Sequence, residues 1–142
     1  MDNLLLVDVY NRAKKLHIEA AVPRVVYIIE TKMEKDNAAA ELLRGLFSMQ
    51  SGDFVTAVDE NNVVLIKALG PRDGRGYLEH TAQTIVDMMS TEAMMNVRVA
   101  YGTVVQELKD VSKSYKEAMM ALEVGKIFYV EKKVNSYGSL GI

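Results

Sequence analysis

The hydrophobic positions of this chain switch repeatedly between a helical and an extended period, and the switches mark out its elements. Residues 3 to 16 place Leu5, Leu6, Val9, Tyr10 and Ala13 on one stripe. Arg12, Lys14 and Lys15 follow towards the end, where positive charge suits a helix dipole. Leu4, Leu6 and Val7 widen the stripe beyond what packing on one sheet face requires. The segment therefore reads as a helix that packs on its own domain or meets an upstream element or a second copy, with Leu5, Leu6, Val9 and Tyr10 as interface candidates. Pro23 introduces the unbroken apolar run Val25-Val26-Tyr27-Ile28-Ile29, the mark of a central strand covered on both faces. Asp36 or Asn37 can cap a helix from Ala38 to about Phe47 whose inward face is Ala39, Leu42, Leu43 and Leu46.

Two β-rich runs follow, Phe54 to Val58 and Val63 to Ala68, joined by Asp59-Glu60-Asn61-Asn62; four polar turn-formers between strands predict a hairpin. Gly70 to Gly76 reads as a loop, and Tyr77 to about Met89 as a helix turning Leu78, Ala82, Ile85, Val86 and Met89 inward. Val97, Val99 and Tyr101 alternate with Arg98 and Ala100, the pattern of a half-buried strand that Gly102 ends. Val111, Tyr115, Ala118, Met119 and Leu122 then recur at spacings of three and four, while Lys113, Lys116, Glu117 and Glu123 face elsewhere. Lys133 to Tyr137 reads as a last strand. The order is helix, β, α, β, β, α, β, α, β: a βαββαβ core with a helix before it and a helix and strand after it. It predicts one domain over residues 1–142, with the N-terminal helix at 3–16 and the α/β core at 23–142. Leu140-Gly141-Ile142 shows neither cap nor tail, so the domain is expected to have been excised from a longer protein.

Composition narrows the chemistry more than the fold. Half of the 142 residues are apolar and a quarter charged, an ordinary soluble balance, and a net charge of −2 offers no electrostatic footprint for nucleic acid. With no cysteine, disulfides, thiolate catalysis and Cys-ligated zinc are excluded. No apolar run approaches the roughly 18 residues of a membrane span, and Asp2 stands where a signal peptide would be basic, so a cytoplasmic location is expected. His17 and His80 have no carboxylate at a ligand spacing, and no metal or cofactor is expected. The adjacent methionine pairs, Met88-Met89, Met94-Met95 and Met119-Met120, should each split between core and rim. The best candidate site is the Gly70–Gly76 loop. Arg72 and Arg75 among Gly74 and Gly76, ahead of a helix start, could hold a carboxylate or phosphate, although the spacing matches no phosphate-loop fingerprint.

The strand ending Tyr101-Gly102, the helix stretch Ser114-Tyr115-Lys116-Glu117-Ala118-Met119-Met120-Ala121-Leu122, and the exit Tyr137-Gly138-Ser139-Leu140-Gly141 resemble one family. It is the GGDEF-like central domain of CdaR/PucR-type bacterial transcription regulators, which govern carbohydrate diacid and purine catabolism. The resemblance runs from about Val9 to Ile142. It implies an α+β fold with a ferredoxin-like βαββαβ core of the nucleotide-cyclase type. It also implies a homodimer whose contact with DNA is made by a helix-turn-helix domain outside this chain. Active cyclases of this fold use two-metal phosphoryl chemistry, which needs carboxylates at the end of the first strand and in the central hairpin, with glycines in that hairpin. Here the hairpin reads Val58-Asp59-Glu60-Asn61-Asn62-Val63 without a Gly-Gly pair, and the first strand runs out through Glu30-Thr31-Lys32. A lysine there repels a metal. The expectation is a non-catalytic regulatory domain, with small-anion or nucleotide binding at Gly70–Gly76 as the alternative.

Overall fold

A computed structural model describes residue 11 and residues 22–31, 38–47, 52–59, 61–71 and 73–140. The fold is built outward from β1 (Arg24–Glu30), every residue of which is buried. It lies between β3 (Asn62–Ala68) and β4 (Arg98–Tyr101), antiparallel to both, so Tyr27 faces Leu65 on one side and Tyr101 on the other. β2 (Phe54–Ala57) forms the expected hairpin with β3, and β5 (Val134–Ser136) runs parallel to β4, giving the order β2-β3-β1-β4-β5. The first four strands have the ferredoxin-like arrangement. Parallel neighbours need a crossover, and α3 (Val111–Phe128) supplies it between β4 and β5.

Strand alternation sends side chains to two separate cores. Val25, Tyr27 and Ile29 of β1, with Leu65, Val99 and Tyr101, meet α1 (Ala38–Leu46) and α2 (Arg75–Glu92) through Ala39, Leu43, Ala82, Ile85 and Met89. Val26, Ile28, Val64, Ile66 and Ala100 point the other way, onto Val111, Tyr115, Ala118 and Leu122 of α3. Small residues let α3 lie close. A Cβ on Gly125 would run into the amide of Asn135, and one on Gly102 would meet the carbonyl and hydroxyl of Ser114.

The structure corrects several expectations. β4 is buried on both faces, Arg98 included, because α3 covers the side read as solvated. α2 begins at Arg75, so Arg75 and Gly76 belong to its first turn and not to a loop. Leu46, expected inward, is exposed. The methionine pairs do split: Met89 is buried, whereas Met94 and Met120 are exposed. The N-terminal helix with Leu5, Leu6, Val9 and Tyr10, the cap at Asp36 or Asn37, and His17, Lys32 and Arg72 lie outside the described residues. Among the described residues no helix is long and apolar enough to cross a membrane.

Candidate functional site

The two ends of the sheet differ in character. At the end where β1 finishes, Glu30 pairs in register with Asn62 of β3 and Arg98 of β4. Its carboxylate, almost wholly buried, accepts a 2.7 Å bond from Nζ of Lys126 in the last turns of α3. That bond holds the Lys126 ammonium above its ordinary pKa, against the opposing effects of partial burial and of Arg98. Asp59 is engaged just as locally. Its Oδ1 accepts the backbone N–H groups of Asn61 and Asn62 at 2.8 and 2.9 Å, an Asx turn that closes the β2–β3 hairpin. Thr31 extends β1 onto the same turn, donating from its N–H and its hydroxyl to the Asn61 carbonyl at 2.7 and 3.1 Å. Glu30 therefore already holds a cation, which a divalent ion there would have to displace, and Asp59 Oδ1 is engaged by the amides of its own turn. Among the described residues no group of three or more His, Asp or Glu could hold a metal.

The opposite end carries a cavity of about 740 Å³ between the start of α2 and the ends of β4 and β5. Leu69, Leu78, Val104 and Val134 give it apolar walls; Asp73, Glu79, Tyr101 and Lys132 supply polar ones. Glu79 Oε2 accepts a 2.8 Å bond from the Tyr101 hydroxyl, and Tyr27, its ring 5.2 Å away, donates to the Leu78 carbonyl at 2.9 Å. Burial pushes both phenols far above the usual tyrosine range; for Tyr101 the bond to Glu79 adds to the effect, and for Tyr27 the bond with Thr81 opposes it. Both rings are neutral donors whose protons are already used within the protein. Of the loop residues chosen from sequence, Gly74 caps α2 and lines this cavity, while Gly76 is exposed in the first turn. The Arg75 side chain and Arg72 lie outside what is described.

Between the two ends, the Ser-Tyr-Lys-Glu stretch has a role that sequence reading missed. Val26 N–H points towards the β4 side one residue beyond the last ladder pair, where Gly102 still gives its N–H to the Val26 carbonyl at 3.1 Å and the chain then bends away. The Ser114 hydroxyl takes that place, accepting from Val26 N–H at 3.0 Å and donating to the Thr103 carbonyl at 2.8 Å. Glu117 accepts the Thr103 N–H and hydroxyl at 3.0 and 2.6 Å. The available signal was a serine and a glutamate three apart on a helix that follows a strand ending in glycine. Lys126 left no such signal, lying 96 positions from Glu30.

A family model described as a GGDEF-like domain matches residues 3–124. Among solved structures, the chain is similar to the active GGEEF domain of a diguanylate cyclase from Vibrio cholerae. The TM-score is 0.51 at 14% identity, over 92% of this chain and 90% of that one, a likeness of fold. No curated protein matches.

Proposed function

The chain belongs to the GGDEF-like domain family, and we propose that it serves there as a non-catalytic regulatory and assembly module of a CdaR/PucR-type bacterial transcription regulator. The observation that carries this reading is the state of the two acids at the end of β1 and in the hairpin. Glu30 is neutralised by Lys126, and Asp59 is held by the amides of its own turn. Two-metal phosphoryl transfer needs carboxylates free to clamp the ions. In this reading the domain is cytoplasmic, forms a homodimer, and reaches DNA through a helix-turn-helix domain elsewhere in the regulator.

Incubating the chain with GTP and magnesium should give no turnover, and calorimetry against guanine nucleotides should give no heat. Magnesium-dependent consumption of GTP, or paired cations seated between Glu30 and Asp59 in a crystal, would overturn the reading. The cavity beside Gly74 favours a second reading, a small-ligand sensory domain. Saturable binding of phosphate, a sugar diacid or a nucleotide, abolished by Arg72→Ala with Arg75→Ala, would establish it in place of the first.

A further inference from the structure

The end of α3 presents apolar side chains to water in an unbroken run: Ile127 is 67% exposed, Phe128 72%, Tyr129 47% and Val130 58%. Met120, 46% exposed, lies two helical turns before Ile127 on the same stripe, flanked by partly exposed Val124. The stripe faces away from the sheet, since Ala118, Ala121, Leu122 and Gly125 form the buried side of α3.

This surface is held in shape from beneath. The Arg98 guanidinium, nine-tenths buried, donates to the carbonyls of Val130 and Lys132 at 3.2 and 3.0 Å. Tyr129 N–H closes onto Gly125, and Lys132 N–H onto Tyr129. Lys126, bonded to Glu30, anchors the preceding turn. A run free to collapse would fold its aromatics against the domain; this one is fixed outward, so its ordering cost is met before any partner arrives.

We infer that this surface, Met120 with Ile127 to Val130, is where two copies of the domain meet about a two-fold axis. The inference rests on the dimer reading above and gives it a location, at the end of α3 and the turn after it. Charge argues for a second copy. The exposed chain beside Val130 carries both signs, Glu131 and Lys133, while Glu123 lies 3.8 Å from Lys126 of its own helix. An isologous contact allows Glu131 of one copy to face Lys133 of the other, whereas a rim of one sign would repel itself. Area agrees: the exposed apolar side chains amount to roughly 500 Å² on each copy, at the upper end of what monomers leave bare. A standard interface takes about 800 Å² per partner, so the apolar patch alone falls short of one. The contact is therefore modest in the isolated domain and strengthened wherever other domains hold two copies together.

The whole chain, followed by sedimentation equilibrium over a wide range of concentration, should associate reversibly to a dimer. Phe128→Glu with Val130→Glu should weaken that association roughly tenfold or more, with an unchanged circular dichroism spectrum because both side chains are exposed. The absence of cysteine allows an independent test. A single Tyr129→Cys should be joined across the dimer by a short bis-maleimide, and Gln83→Cys, exposed on α2, should not. A dimer indifferent to both charge substitutions, or one joined through residue 83 and not 129, overturns this location and leaves the dimer reading standing. A wild-type chain that stays monomeric throughout, or aggregates without a dimer endpoint, overturns both.

Discussion

Ser114→Ala tests whether the helix motif is there for architecture. The substitution removes one oxygen from a fully buried side chain, and little volume. What it leaves is Val26 N–H, inside the most buried strand, with no acceptor, and the Thr103 carbonyl without its hydroxyl partner. An orphaned buried donor costs about 1–3 kcal/mol, and Thr103, only partly buried, recovers some of its loss from water. The expected destabilisation is about 2–3 kcal/mol, a large share of the roughly 5–15 kcal/mol of a domain this size. In urea the midpoint should fall by about 1 M with an unchanged slope. Because Glu117 grips the same residue through the Thr103 N–H and hydroxyl, a cycle of Ser114→Ala and Glu117→Ala should be non-additive. A loss below about 0.5 kcal/mol for Ser114→Ala, with additive behaviour in the cycle, would refute the argument: the ladder beyond Tyr101 would then have found another acceptor.

Three further outcomes follow from the same packing. Gly102→Ala and Gly125→Ala each drive a methyl into an occupied site, the Ser114 carbonyl and the Asn135 amide, and each should cost about 1–3 kcal/mol in denaturant unfolding. Lys126→Met leaves Glu30 in its buried place without its ammonium; the lysine is itself partly solvated, so the loss in the same assay should be about 1 kcal/mol. At alkaline pH the raised pKa values of Tyr27, Tyr101 and Lys126 act in one direction. Each folded-state group keeps its proton more tightly than the unfolded chain, so stability is intact below the unfolded values near pH 10 and falls as pH rises above them. Ultraviolet titration of the seven tyrosines should show two that ionise only as circular dichroism reports unfolding.

What the sequence made legible was whatever depends on local periodicity. β1 is apolar at five successive positions, and both its faces are covered; the four polar residues after Val58 did make a hairpin. β4 misled because alternation assigns Arg98 to water by its type. In the structure Arg98 is buried and its guanidinium donates to the carbonyls of Val130 and Lys132, a burial that one-dimensional reading cannot separate from exposure. The cavity was equally illegible. Leu69, Leu78, Tyr101 and Val134 come from four places in the chain and share a wall only because β4 and β5 end beside the start of α2. The missing glycines of the hairpin could be read directly from the sequence; the ammonium that neutralises Glu30 could not.

Helix geometry explains why that ammonium arrives. α3 is tied to β1 at two points, Ser114 on Val26 and Lys126 on Glu30. Twelve helical residues rise about 18 Å, whereas four strand residues advance about 13 Å, so a helix laid along β1 overshoots Glu30 by several ångströms. Side chains on a helix lean towards its N-terminus, and lysine is long enough to reach back over that gap. A short residue at 126 could not. The pairing therefore follows from three things the sequence does contain: the position of Ser114, the count of residues to Lys126, and the length of the lysine. Each becomes informative only once the direction of α3 across the sheet is fixed. That direction is set by Gly102 and the bend after it, where the absence of one Cβ lets the helix start close enough to use its serine.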